Sequence, residues 1–121
     1  MHRLLRPGGT LWLQTPNIDS IGHKIYGLNW RGLEPPRHLV LMTMQTLRKI
    51  LENAGFKIDI QPMPLLSAMT VYAASSALLR GDKTAVVPPH SRLFRLRFLL
   101  LAIAQNWSLR HAEFHTVIAT R

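Results

Sequence analysis

Apolar positions along the chain follow two periods, and the switches between them mark its elements. Thr10-Leu11-Trp12-Leu13-Gln14-Thr15 is rich in β-branched, aromatic and aliphatic types and predicts a buried strand, with Trp12 in the core. Arg6-Pro7-Gly8-Gly9 ahead of it is a turn, because proline presets φ and glycine tolerates the φ values a tight turn needs. Pro16-Asn17 closes the strand, since proline cannot donate to the ladder. Residues 18–26 then place Ile18, Ile21, Ile25 and Tyr26 at helical spacing, with Asn17 as the N-cap. Residues 27–38 have no period and form a loop, and residues 39–42 a short extended lead. Thr43 caps the clearest helix of the chain, whose stripe is Leu47, Ile50, Leu51 and Ala54. Gly55 supplies the left-handed residue after its end and Phe56 folds back on its last turn. Residues 56–61 alternate apolar and polar strictly, which predicts a strand with one wet face.

The second half is patterned less sharply. Residues 65–80 are small and apolar and predict a helix; residues 81–90 form a polar loop in which Arg80-Gly81-Asp82 is a chance tripeptide. Residues 91–110 are the most hydrophobic segment, uninterrupted over residues 98–104. A membrane span needs about 20 apolar residues, and Arg95, Arg97 and Gln105 break this one. It is expected to be a buried helix, with an interfacial helix as the alternative. Residues 112–120 end the chain as a strand centred on Val117-Ile118-Ala119.

Composition narrows the classes. At 121 residues and 47% hydrophobic content the chain can bury the core of one domain, and without cysteine it has neither disulfides nor thiolate metal sites. A net charge of +9 raises nucleic acid and anionic lipid as partners. The basic residues are dispersed, with one local concentration at Arg92, Arg95 and Arg97, which favours a solvated surface over a nucleic-acid stripe. Metal binding is not expected, because the six histidines form no paired ligand motif on one helix face. The glycine pair at Gly8-Gly9 precedes a strand, whereas a dinucleotide loop follows one. No secretory leader is expected, and residues 1–5 look like the last turn of a helix, as if the chain were a piece of something longer.

The loop at residues 27–38 holds the candidate chemistry. It carries Trp30, Glu34, Arg37 and His38, and binding groups concentrate on loops held by a scaffold. In one reading these residues plug the edge of the sheet, with Glu34 paired to Arg37. In the other, Trp30 is an apolar wall, Arg37 and His38 donate to a polar substrate, and His38 is a candidate general base without a visible orienting partner.

The order of these pieces resembles a known family. Leu5-Arg6-Pro7-Gly8-Gly9, a strand ending in Thr15-Pro16-Asn17, Tyr26-Gly27, Trp30, Pro36-Arg37-His38-Leu39, Thr43 and Ala54-Gly55-Phe56 are similar to the second half of class I S-adenosylmethionine-dependent methyltransferases of the type 11/23 kind. The resemblance covers residues 1–61, and the final strand fits the last, antiparallel strand of that sheet. It implies an α/β fold, an incomplete Rossmann-like three-layer α/β/α arrangement holding strands 5 to 7. Residues 1–121 would be the C-terminal, acceptor-side part of one domain, with residues 65–110 a variable apolar helical insertion. The implied substrate-binding set is Asn17, Tyr26, Trp30, Arg37 and His38, facing a small-molecule or lipid-type acceptor. The cofactor implied is S-adenosylmethionine, but the glycine-rich loop and acidic residue that bind it in the family have no counterpart here, so the isolated chain is expected to be inactive. Its partners would be a missing N-terminal half or a second copy, in the cytoplasm, with peripheral membrane contact open. The alternative is a basic interaction module that pairs with a partner chain, nucleic acid or an anionic membrane.

Overall fold

A computed structural model describes residues 2–82 and 92–121, without the side chain of Phe94. The loop expected at residues 81–90 therefore lies outside the described residues beyond Asp82. Three strands, β1 (Thr10–Pro16), β2 (Lys57–Gln61) and β3 (Phe114–Thr120), form one sheet in the order β1-β3-β2. β3 runs antiparallel to both neighbours, with Leu13 opposite Val117 on one side and Ile60 opposite Val117 on the other. The helices are α1 (Ile21–Tyr26), α2 (Met44–Asn53), α3 (Leu65–Leu79) and α4 (Arg92–Trp107). The turn at residues 6–9 is tied to the last residue: Gly8 N–H donates to the Arg121 carbonyl at 3.1 Å, and Arg121 N–H donates to Gly9 at 3.0 Å.

Two apolar clusters hold these elements. In the first, Leu47 and Leu51 of α2 meet Phe56, Val117 and Ala119, with Leu11, Leu13 and Ile58 at the margin. α2 therefore covers one face of the sheet. Its capping follows the expected chemistry: the Thr43 hydroxyl accepts from Thr46 N–H at 3.2 Å. At the other end Gly55 has φ of +88°, Gly55 N–H donates to Glu52 and Phe56 N–H to Leu51, the two bonds of a Schellman stop. Arg80-Gly81-Asp82 closes α3 in the same way, through Gly81 N–H to Leu78 and Asp82 N–H to Ala77.

The second cluster lies among the helices. Small residues along α3, including Ala68 and Ala73, let α4 approach closely, and Phe98 and Ala102 of α4 are fully buried there. Tyr72 stacks on Phe98 with ring centroids 6.4 Å apart. Tyr26, Trp30 and Met63 complete this core. No described helix is long and apolar enough to cross a membrane.

Four expectations need correction. Trp12 is not core: it is 61% exposed, and β1 alternates instead of being buried on both faces. The reason is positional, because β1 is an edge strand among the described residues and none of their helices forms a third layer over Trp12. Asn17 does not cap the helix after β1; that helix starts later, and the Ser20 hydroxyl accepts from His23 N–H at 3.0 Å. Ile50 and Ala54 lie outside the buried stripe of α2, which is Met44, Leu47 and Leu51. The segment at residues 91–110 is not a buried helix throughout, for Leu93, Leu96, Leu100, Ile103 and Trp107 are exposed.

Candidate functional site: a loop anchored on a buried carboxylate

The loop that follows α1 is fixed from below by a residue that the sequence did not single out. Glu113, just ahead of β3, is fully buried. One carboxylate oxygen accepts from Gly22 N–H at 2.7 Å, and the other accepts from the Trp30 indole N–H at 2.6 Å. Glu113 N–H donates to the Gln105 side chain at 2.9 Å, so α1, the loop, α4 and β3 converge on this residue. Burial pushes the Glu113 carboxyl above the usual carboxylate range, while the Tyr72 hydroxyl, Gly22, Trp30 and Ser20 pull it the other way. The Tyr72 hydroxyl lies beside that carboxylate without completing a hydrogen bond, and burial drives its own titration upward.

Close packing around this anchor explains two glycines. A Cβ at Gly22 would stand 2.3 Å from Glu113 Oε2, and one at Gly32 would stand 2.3 Å from the Trp30 ring. Trp30 itself is only 1% exposed. Past it, Arg31 N–H donates to the Ser75 hydroxyl of α3 at 2.9 Å. The loop therefore leaves the core at two fixed points and projects its next residues outward.

Those residues gather on Glu34. Its carboxylate pairs with Arg31, with Arg37 at 3.2 Å and with His38 Nε2 at 3.8 Å. Glu34 has φ of +30°, a conformation that a side chain with a Cβ resists, and such strain is found where a structure over-determines a site. A groove of about 260 Å³ runs between Arg31, Glu34, Pro35, Pro36 and Arg37. A second, of about 220 Å³, lies between Arg31 and Glu34 on one side and Val71, Ala74 and Phe114 on another. Because Phe114 sits opposite Pro16, this groove opens at the carboxyl end of β1.

The five substrate-binding candidates are thus divided between two levels. Arg37 and His38 stand on the outer loop around Glu34. Asn17, Tyr26 and Trp30 are buried beneath it at 0%, 5% and 1% exposure. The Asn17 amide donates to the carbonyls of Arg110 and Ala112, both at 2.8 Å, and its carbonyl accepts from Asp19 N–H at 3.0 Å. Its hydrogen-bonding capacity is consequently spent on joining the end of β1 to the entry of β3. Asn17→Ala is expected to lower the free energy of unfolding by about 1–3 kcal/mol, since buried partners lose their bonds. Urea unfolding reads that loss directly, and an unchanged midpoint would contradict the structural role.

Glu34 gives His38 the partner that its sequence context lacked, at a spacing of four residues across the loop. Arg31 and Arg37 already share that carboxylate, so a proton taken by His38 adds to a cluster with net positive charge. Glu113 could not have been found from the sequence, where it reads as the polar start of a terminal strand; only the tertiary meeting of four elements buries it. Among the described residues no group of three His, Asp or Glu is placed to hold a metal ion.

Neither a curated protein nor a solved structure matches the chain. A family model described as a methyltransferase domain matches residues 1–61. That span holds β1, α1, the loop with its Glu34 cluster, α2 and β2. The match covers half of the chain and the whole of the candidate loop, so the chain belongs to the methyltransferase domain family.

Proposed function

We propose that this chain is the C-terminal, acceptor-side half of a class I S-adenosylmethionine-dependent methyltransferase acting on a small-molecule or lipid-type acceptor. In this reading β1, β2 and β3 are strands 5, 6 and 7 of a Rossmann-like sheet, and α3 and α4 are a variable insertion. The observation that carries it is the edge of β1. Among the described residues that edge has no partner strand, and the adjoining face carries an exposed Trp12. An unpaired edge beside an uncovered aromatic supports a sheet that continues into another segment, since exposed edges are otherwise blunted or covered. A missing N-terminal half supplies the partner, with a second copy as the alternative.

The described residues do not fit the cofactor. Gly22 opens the helix that follows β1, but the space beside it holds the Glu113 carboxylate instead of a ligand. The chemistry assigned to this chain is therefore acceptor binding. Arg37 meets the acceptor at the groove it lines with Arg31, Glu34, Pro35 and Pro36, and His38, beside Glu34, takes a proton if the acceptor has one to lose. Trp30 and Tyr26 hold the loop in place from within, and Asn17 joins the end of β1 to the entry of β3 beneath it. Methyl transfer itself depends mainly on positioning, and the isolated chain is inactive.

Two measurements test this reading. Titrating the purified chain with S-adenosylmethionine by calorimetry is expected to show no binding; one-to-one binding in the micromolar range would overturn the division of labour. An immunoblot of source cells with an antibody to residues 43–56 is expected to show a band of at least about twice this chain's length, the size of a complete α/β domain. A band at 13.8 kDa would remove the missing half from the proposal.

A further inference from the structure

The outward face of α4 is its apolar face. At roughly 100° per residue, Leu93, Leu96, Leu100, Ile103 and Trp107 fall within about 80° of one another. They are 78%, 52%, 58%, 44% and 91% exposed, whereas Phe98, Ala102 and Gln105 on the opposite stripe are fully buried. Arg92 and Arg97 stand on the two borders of the exposed row. A groove of about 500 Å³ runs along it beside Arg97, Leu101 and Ala104. None of the 16 residues of α4 is acidic.

We propose that α4 lies in the plane of an anionic phospholipid bilayer. Leu93, Leu96, Leu100, Ile103 and Trp107 enter the acyl boundary, and Arg92 and Arg97 pair with headgroup phosphates. The helix is too short to span, and a row of leucines ending in a tryptophan, bordered by arginines, suits the interface instead. Charge selects this occupant over a second copy. Each copy of the chain carries +9, so two copies repel one another as wholes, and α4 has no acidic residue to offset its arginines. An anionic surface instead attracts each arginine near it. This inference does not rest on the methyl-transfer reading.

Co-sedimentation of the whole chain with phosphatidylcholine vesicles, with and without phosphatidylglycerol, tests it. Binding is expected to be at least about tenfold stronger to the anionic vesicles and to weaken with salt. Arg92→Glu with Arg97→Glu should abolish that preference. Leu96→Ser with Leu100→Ser should abolish binding to both, and a cooperative urea transition at a lowered midpoint shows that the variant still folds, since these side chains are only about half exposed and serine is the poorer helix former. Trp107 fluorescence should shift to the blue on binding, and Trp107→Phe should remove that shift. Equal binding to both vesicle types, or binding that survives Leu96→Ser with Leu100→Ser, would overturn the proposal. So would a dimer in vesicle-free buffer that Leu100→Ser dissociates, because a second copy would then cover this face.

Discussion

Trp30→Ala is expected to lower the free energy of unfolding by about 3–5 kcal/mol, the range for truncating a buried aromatic side chain. Trp30 fills the helical core beside Tyr26, Val71 and Tyr72, and its indole N–H is one of the donors to the buried Glu113 carboxylate. Alanine opens a cavity and also leaves that oxygen short of a partner. Trp30→Phe shifts the balance between the two losses, because it removes the donor while keeping the larger part of the ring and leaving a smaller cavity than alanine. Its expected cost is about 1–3 kcal/mol. Urea unfolding of the three proteins checks the order. If alanine and phenylalanine were equally mild, Trp30 would not be the pin that fixes the loop, and the position of the Glu34 cluster would need another cause.

Glu113→Gln should change how stability depends on pH. Burial raises the Glu113 carboxyl above its ordinary value of 4.5. A raised carboxyl contributes its full stability below the unfolded value and loses it as pH rises through the folded value. His115 works in the opposite sense. It is buried with Nε2 on the Met42 carbonyl at 3.0 Å, and burial lowers its titration below 6.5, so its contribution is lost as pH falls. Both trends act on the wild type, whereas only the histidine trend remains in Glu113→Gln. Subtracting the two urea-derived stability curves therefore isolates the carboxyl. Glutamine should be the less stable at acidic pH, where its amide group faces the Trp30 or Gly22 donor. It should regain ground on the wild type as pH rises. At about 1.4 kcal/mol per tenfold change in proton affinity, the height of the difference curve measures the net effect of burial and hydrogen bonding on Glu113. Parallel curves would mean that burial does not outweigh the hydrogen bonds at this carboxylate.

Local signals were legible where the residues that produce an element are also those that define it. Thr43, Gly55 and Phe56 sit at the ends of α2 and satisfy its unpaired backbone groups, so the helix and the strand after it follow from a short stretch of sequence. The alternation over β2 survives because one face meets α2 and the other meets solvent. Burial was legible less often, because it depends on what arrives from elsewhere. Trp12 has the composition of a core residue, yet the strand that carries it stands at an edge. The long apolar run in α4 reads as interior until α3 is seen to contact only one stripe of it. At the candidate site, the loop was marked by its density of charged and aromatic residues. Its anchor was not, because Glu113 is 83 residues from Trp30 in sequence and 91 from Gly22.

Strand order also has a consequence for synthesis. The central strand follows both of its neighbours in the chain, and Thr120 pairs with Thr10 on one side and Lys57 on the other. Neither β1 nor β2 can pair with β3 before residues 114–120 have been made. Helix α2, with its caps encoded locally, can form early and wait. The sheet instead closes in one late step that joins residues more than a hundred positions apart, and such non-local pairing is slow. Until then the edges of β1 and β2 that face β3 are available to other chains, so these strands are most vulnerable to aggregation in the interval before residues 114–120 are made.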